Sequence, residues 1–330
     1  MPETGPLDRV RDDVWALRMP MPGEHMPYSF AYLLRDSAGG IHVIDPGLDR
    51  DDNRALLGNA LAGLDGGGAG MGDIRSIAAT HLHPDHLGMA GRLRRETSAP
   101  LVMHRSEDAA LAGQAAARWT PELLAAKAEE WGVPTDRRPE LAALASRASA
   151  AIDVRADVVV DDGDLLGAGA EPLIPGFDLV AMWTPGHTSG SLSLRDDARN
   201  ILFTGDHLLP VTFSGLGLGG DTATNALADY LASLEKVAAY PAHEVLPGHE
   251  YRFGGVATRA AEVAEHHLRR TREVAAVIEA DATSSVWAIA SQLTWTAGWS
   301  ALAGFFLFSA LSQTAMHRAA LELPAVRERL

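Results

Sequence analysis

Thr80-His81-Leu82-His83-Pro84-Asp85-His86 is the stretch from which the rest of the chain can be read. It sets three imidazoles and a carboxylate almost side by side. Pro84 has no backbone N–H and clashes with a preceding helical turn, so no ordinary helix interior runs through it. Upstream, Ile74-Arg75-Ser76-Ile77-Ala78-Ala79 is short and mostly apolar, the pattern of a buried strand. Downstream, Leu87-Gly88-Met89-Ala90-Gly91-Arg92-Leu93 opens a helix. The donors therefore sit on a strand-to-helix turn, the place where α/β folds expose their chemistry. If the turn begins extended, His81 and His83 project to one side by the two-residue period. Two imidazoles on one side, with a carboxylate and a third imidazole one turn on, suit two borderline-soft divalent ions better than one.

Three later turns repeat the pattern. They are Thr184-Pro185-Gly186-His187-Thr188-Ser189-Gly190-Ser191, Phe203-Thr204-Gly205-Asp206-His207 and Leu246-Pro247-Gly248-His249-Glu250. Each follows an apolar strand and presents His or Asp directly after glycine, where the backbone can turn sharply. A single loop histidine is more often a surface residue. Four such turns in one chain form a constellation.

The strands expected before the opening turn cover residues 14–18, 29–35 and 41–44, the last two joined by a hairpin signal at Asp36-Ser37-Ala38-Gly39-Gly40. A helix is expected over 51–64 and a strand over 100–104. Strands at 158–160, 178–183, 191–194 and 201–204, a helix at 225–239 and a short strand at 245–246 form a second half of similar make-up. The pattern predicts an α/β fold with two sheets face to face and helices outside. Residues 120–150 are Ala-rich, charged and helical in period, with a break at Gly132-Val133-Pro134. They read either as a lid or as a solvated helical pair on the outer face. The expected organisation is a main domain over 1–256, which would carry the catalytic turns, and a helical extension over 257–330, with helices at 259–282, 284–293 and 302–320. Residues 284–315 carry no charge and are long enough to span a bilayer. Gln292, Thr294, Ser309, Ser312 and Gln313 along this run, and a break at Gly298-Trp299, favour helices that bury apolar faces on each other or across a homodimer. Trp287, Trp295 and Trp299 are expected to fill that helical core, and His266-His267 to lie on a solvated helix face.

A formal charge of −15 over 330 residues disfavours a nucleic-acid or anionic-membrane surface, because phosphate contacts need clustered Lys and Arg. With no cysteine, disulfides and thiolate ligands are excluded. The opening Met1-Pro2-Glu3-Thr4-Gly5-Pro6-Leu7-Asp8 has neither a basic n-region nor an apolar h-region, so a cytoplasmic location is expected.

Taken together, the four turns resemble the metallo-β-lactamase fold superfamily over residues 10–255. The resemblance implies an αββα sandwich with a dinuclear site. His81, His83 and His187 would hold one ion, Asp85, His86 and His249 the other, and Asp206 would bridge them. The implied cofactors are two divalent metal ions, zinc first, with iron or manganese also compatible with the donor set. Two dications lower the pKa of a shared water to near neutrality, and Asp85 could orient it and pass on a proton. Asp45 and Thr80 are candidates for holding the outer N–H of a ligand imidazole. Asp45 in Asp45-Pro46-Gly47 reads equally well as a turn-stabilising residue. His25, Tyr28 and His207 are candidate substrate contacts. More loosely, the C-terminal run resembles the helical, winged-helix-like appendage of the glyoxalase II and β-lactamase-like protein 2 branch. That likeness implies a small-molecule ester, thioester or lactone substrate. A single-strand endoribonuclease drawing on Arg92, Arg94, Arg95, Arg105 and the Arg269–Arg272 group, or a β-lactam hydrolase, would use the same ions.

Overall fold

The computed structural model describes residues 5–23, 26–64, 68–116, 120–147, 152, 154–166, 173–219 and 224–330. A seven-stranded sheet runs in chain order through β1 (Leu7–Arg11), β2 (Val14–Pro20), β3 (Tyr28–Arg35), β4 (Ile41–Ile44), β5 (Ile74–Ala78), β6 (Leu101–His104) and β7 (Val158–Val160). Its first four strands pair antiparallel and the later ones parallel. Parallel neighbours need crossovers, which helices provide. These are α1 (Asp51–Ala62), α2 (Pro84–Leu87) with α3 (Ala90–Thr97), and α4 (Arg105–Ala116) with α5 (Pro121–Glu130) and α6 (Arg138–Ala142). A second sheet has the order β11 (Glu244–Pro247), β10 (Ile201–Gly205), β9 (Leu192–Asp196), β8 (Val180–Trp183), with α7 (Ala226–Ala238) crossing from β10 to its parallel neighbour β11. Then come α8 (Val256–Ala280), α9 (Val286–Ala290), α10 (Gly304–Ala320) and α11 (Pro324–Arg327).

The two-residue period sorts the side chains into layers. Ala16, Tyr32, Leu34, Ile44 and Val102 meet Ala181, Leu194, Ile201 and Phe203 of the second sheet in an inner core. Their strand neighbours Trp15, Leu17, Leu33, Val43 and Ile77 turn the other way, onto Leu57, Leu61 and Leu93 of α1 and α3. On the far side Leu202 and Val245 lie under Leu227, Leu231 and Leu234 of α7 and Val256 and Val263 of α8. Each buried aliphatic side chain here contributes on the order of 1.5–3 kcal/mol of transfer free energy. The architecture is the αββα sandwich with extra C-terminal helices.

The helical segment begins at Val256 and is built from helices alone: no strand follows Pro247 among the described residues, so it has no wing. The insertion docks on it. Trp131, Val133 and Leu141 share a core with Val286, Leu307 and Leu311, and Trp287, Trp295 and Trp299 pack against that core. The Trp287 N–H donates to the Trp131 carbonyl at 2.9 Å, and the Arg137 guanidinium donates to the Leu302 carbonyl at 3.0 Å. The uncharged run thus buries apolar side chains on the insertion and on α8. No helix among the described residues is long and apolar enough to cross a membrane. His267 departs from the solvated face expected for it. It is buried edge-on against Tyr230 of α7 and lies over His317 of α10, because α8 is covered on both sides.

Candidate metal centre

The four turns lie at the C-terminal ends of β5, β8, β10 and β11, so strand register carries all seven donors to one end of the sandwich. The donor atoms of His81, His83, His187 and Asp206 lie within 4.8 Å of one another, as do those of Asp85, His86 and His249. Asp206 faces both groups. Its Oδ1 is 3.3 Å from His86 Nε2 and 3.4 Å from His249 Nε2, and its Oδ2 is 3.7 Å from His187 Nε2. Gly248 is required here, since a Cβ would stand 2.5 Å from Asp206 Oδ1 and 2.6 Å from the His86 ring. β3 ties two turns together. Ser29 Oγ donates to the Asp85 carbonyl at 2.7 Å, and the Phe30 N–H donates to the Gly248 carbonyl at 2.8 Å.

Each imidazole engages an acceptor with its outer nitrogen. His187 Nδ1 donates to the Gly215 carbonyl at 2.7 Å, His249 Nδ1 to the Tyr28 carbonyl at 2.8 Å, and His86 Nδ1 to Asp45 Oδ2 at 2.9 Å. His81 Nδ1 meets Thr80 Oγ1 at 3.1 Å, and His83 Nε2 meets the Leu218 carbonyl at 3.3 Å. An acceptor on the outside fixes the proton there and turns a lone pair inward. The inner nitrogens then face one another at 3.0 Å (His81 Nε2 to His83 Nδ1), 3.1 Å (His187 Nε2 to His83 Nδ1) and 3.3 Å (His86 Nε2 to His249 Nε2). Among His81, His83 and His187 these are opposed lone pairs, which repel at such distances unless a cation sits among them. Asp206 Oδ1 is buried and has no hydrogen-bond partner. The residues present therefore fit divalent ions, and the all-imidazole and carboxylate donor set agrees.

The charges agree as well. Burial pushes the His81 pKa well below its ordinary value, burial and His187 bring His83 down to about 4, and burial lowers His187. These three are neutral at pH 7, the form that binds a metal. In the other group burial opposes charge on His86, but Asp206, Asp85 and Asp45 outweigh it and hold the pKa well above ordinary. Burial likewise works against charge on His249, and Asp206 and Asp85 raise its pKa. Burial works against ionisation of Asp85 and Asp206, yet the adjoining imidazoles hold both carboxyls below the usual range. This second group calls for positive charge, which a dication would supply by displacing protons from His86 and His249.

Asp45 takes the role of outer acceptor. It sits at φ 54°, and its Oδ1 accepts the Thr80 N–H at 2.7 Å while Oδ2 accepts Thr80 Oγ1–H at 2.7 Å. Tyr28 lies beside the cluster with its hydroxyl on the Glu250 carbonyl at 2.6 Å. His207 is buried, edge-on to Tyr230 at 5.0 Å, with both ring nitrogens unpartnered and a pKa pushed down by burial to about 3. His25 lies outside the described residues. Glu107 and Glu250 also brace the turns, and neither is among the residues that the sequence pattern singles out. The Glu250 carboxylate accepts the backbone N–H groups of Val211 at 2.8 Å and Thr212 at 3.1 Å, joining the loop after Asp206 to the His249 turn. A surface cleft of about 460 Å³ lined by Arg94, Arg95, Ser98 and Asp157 shares no residue with the cluster.

A model of the metallo-beta-lactamase superfamily matches residues 27–249, which hold all seven donors. The chain belongs to the metallo-beta-lactamase superfamily. Members of this superfamily are metallo-hydrolases, and the paired His/Asp groups of this one suit divalent ions. A probable metallo-hydrolase of Bacillus subtilis (strain 168) is 24% identical over 316 residues, covering 94% of this chain and 92% of that protein. A beta-lactamase-like protein 2 homolog of Caenorhabditis elegans is 32% identical over 111 residues, covering 34% of this chain and 35% of that protein. The human acyl-coenzyme A thioesterase MBLAC2 is 27% identical over 196 residues, covering 58% of this chain and 61% of that protein. The chain thus spans less than two thirds of the worm and human proteins it matches. A metallo-beta-lactamase family protein of Thermus thermophilus superposes with a TM-score of 0.73 at 24% identity, over 95% of this chain and 94% of that one. A beta-lactamase domain protein of Burkholderia ambifaria reaches a TM-score of 0.74 at 23% identity, over 98% and 90% of the two chains. Both share the superfamily fold.

Proposed function

We propose that the chain is a dinuclear metallo-hydrolase acting on small acyl thioesters, with esters and lactones as related carbonyl substrates. The observation that carries this reading is the placement of two donor groups face to face with the oxygens of Asp206 directed at both. In this reading His81, His83 and His187 would hold one ion, Asp85, His86 and His249 would hold the other, and Asp206, which faces both groups, would serve both. When bound, the ions polarise a substrate carbonyl and make a shared water ionisable near neutral pH. Asp85 has Oδ2 turned to His249 Nε2 at 3.2 Å and keeps 18% of its side chain exposed. Its Oδ1 would then orient the attacking water, accept its proton and pass that proton to the leaving sulfur. A thiol with an ordinary pKa of about 8.5 needs little of that help, so a thioester asks least of this site.

The surroundings favour an apolar acyl group. Val211, on the loop that follows Asp206, is 57% exposed, and Tyr251, beside Glu250, is 53% exposed. Such side chains suit an alkyl chain and leave a polar leaving portion in solvent. The arginines that a phosphodiester polymer would need are mostly paired. Arg92 binds Asp51 at 2.8 Å, Arg105 binds Asp161 at 2.9 Å, Arg270 binds Glu273 at 3.0 Å, Arg272 binds Glu265 at 2.8 Å, and Arg94 binds Asp157. The relatives named acyl-coenzyme A thioesterase add support from outside the chain.

The test is a panel of short- and long-chain acyl thioesters, an aryl ester, a lactone, nitrocefin and labelled single-stranded RNA, all with metal-replete protein. Thioester turnover that disappears in His83→Ala is the expected result. Cleavage of RNA or nitrocefin alone, with every thioester untouched, would overturn the assignment.

A further inference from the structure

Asp45 braces the second donor group, and the structure holds a counterpart behind the first. Glu107, in the first turn of α4, is fully buried. Its Oε1 accepts the Leu82 N–H at 2.7 Å and the Thr188 hydroxyl at 2.9 Å, and its Oε2 accepts the Gly190 N–H at 2.8 Å. Leu82 stands between His81 and His83, and Thr188 follows His187. α4 belongs to the first half of the sandwich and the β8–β9 turn to the second. One carboxylate therefore joins the two turns whose three imidazoles make up the first group.

The contact is close and oriented. A Cβ on Gly190 would collide with the backbone nitrogen of Glu107, so glycine lets this turn lie flat on the start of α4. Thr188 is set by Ser191, whose Oγ accepts the Thr188 N–H at 3.0 Å and lies 2.7 Å from its hydroxyl. Among the described residues no Lys, Arg or His forms an ion pair with Glu107. Burial pushes its carboxyl up to about 7 against the pull of its three donors. A buried acid held only by neutral donors is costly, whereas an apolar replacement would leave all three donors unsatisfied.

We propose that Glu107 is a positioning residue for the first ion: it fixes the spacing of His81, His83 and His187 and so sets that ion's affinity independently of the second. The inference rests on the dinuclear reading above. The ground on which it goes further is the asymmetry of the bracing: Asp45 holds His86 of the second group directly and reaches His81 of the first only through Thr80, whereas Glu107 bonds residues adjoining all three imidazoles of the first group.

The test is titration of the full chain with Zn²⁺ against a chromophoric chelator, paired with the visible spectrum of the Co²⁺-loaded protein. His83→Ala and His249→Ala assign each binding step to its group. Glu107→Gln keeps the size but sets an amide N–H against one of the three donors. It should bind the second-group ion as the parent does and the first-group ion roughly 10- to 100-fold more weakly, with an altered first-site Co²⁺ spectrum. Thr188→Val removes one hydroxyl and should shift the same step by less, which keeps the test usable if Glu107→Gln folds poorly. Asp36→Asn removes a different buried carboxylate, bonded to His42 at 3.0 Å, and should lower stability with both affinities intact. The proposal falls if folded Glu107→Gln and Thr188→Val bind both ions with parental affinity and spectrum. It also falls if they weaken both steps equally. A parent chain that takes up no ion would instead remove the dinuclear reading beneath it.

Discussion

Asp45→Asn exchanges one oxygen for an NH2 and aims it at the second donor group. Asp45 Oδ2 receives the N–H of His86 at 2.9 Å and the hydroxyl of Thr80 at 2.7 Å, while Oδ1 receives the Thr80 N–H at 2.7 Å. If the amide keeps its oxygen on the Thr80 N–H, its NH2 confronts two donors. If it flips, the conflict moves to the Thr80 N–H. His86 can escape only by moving its proton to Nε2, which removes the lone pair offered to the second ion. Loss of an outer partner of this kind costs roughly 10- to 100-fold in metal affinity, or about 1.4–2.7 kcal/mol. The buried donor left without an acceptor adds about 1–3 kcal/mol of lost stability to the metal-free chain. Isothermal titration of chelator-stripped protein with Zn²⁺ should show the second-group step weakened most, and the first-group step, which Asp45 reaches only through Thr80 and His81, weakened less. Urea unfolding in chelator should show the stability loss. A folded Asp45→Asn protein with both steps within about threefold of the parent would refute the claim that the Asp45 contact fixes the His86 tautomer.

Elemental analysis of purified protein should find close to two divalent ions per chain, and chelation should abolish hydrolysis that Zn²⁺ restores. His317 and His267 are buried between α8 and α10, and burial brings the first pKa down to about 3 and the second well below ordinary. Unfolded imidazoles titrate near about 6.5, so below that pH the unfolded chain binds more protons. Stability is therefore complete above about pH 6.5 and falls below it, for His317 by about 1.4 kcal/mol per unit down to about pH 3, with His267 adding in the same direction. Urea midpoints of the metal-free chain compared at neutral and mildly acidic pH should show this slope, reduced in His317→Gln. Val211→Ser with Tyr251→Ser should raise KM for long-chain thioesters several-fold and leave short-chain substrates nearly unchanged; equal effects on both would show that these side chains do not meet the acyl group.

The seven donors are legible in the sequence because metal chemistry admits few residue types, and each stands after a strand, at a glycine or in the opening turn. Asp45 is legible as a candidate only, since an Asp before Pro-Gly serves a turn as readily as an imidazole. The carbonyls of Tyr28, Gly215 and Leu218 cannot be found that way, because a backbone acceptor has no side-chain identity to mark it. Glu107 escapes notice along with α4, whose apolar residues keep no clear helical stripe. Its signal is the pair of acids, Glu107 and Asp108, in a first turn where the helix dipole favours them. β1 escapes notice because it is a half-exposed edge strand that, among the described residues, pairs only with β2. His267 is misplaced by sequence periodicity because what covers α8, from Tyr230 to His317, comes from distant parts of the chain.

The shared tryptophan-rich core of segments 121–142 and 286–311 ties together two stretches that look optional when each is viewed alone. Removing the tail would strand Trp131 and Leu141 in water, and removing the insertion would do the same to Trp287 and Leu311. Neither can be trimmed or traded singly, so a chimera between relatives would have to inherit both as a unit.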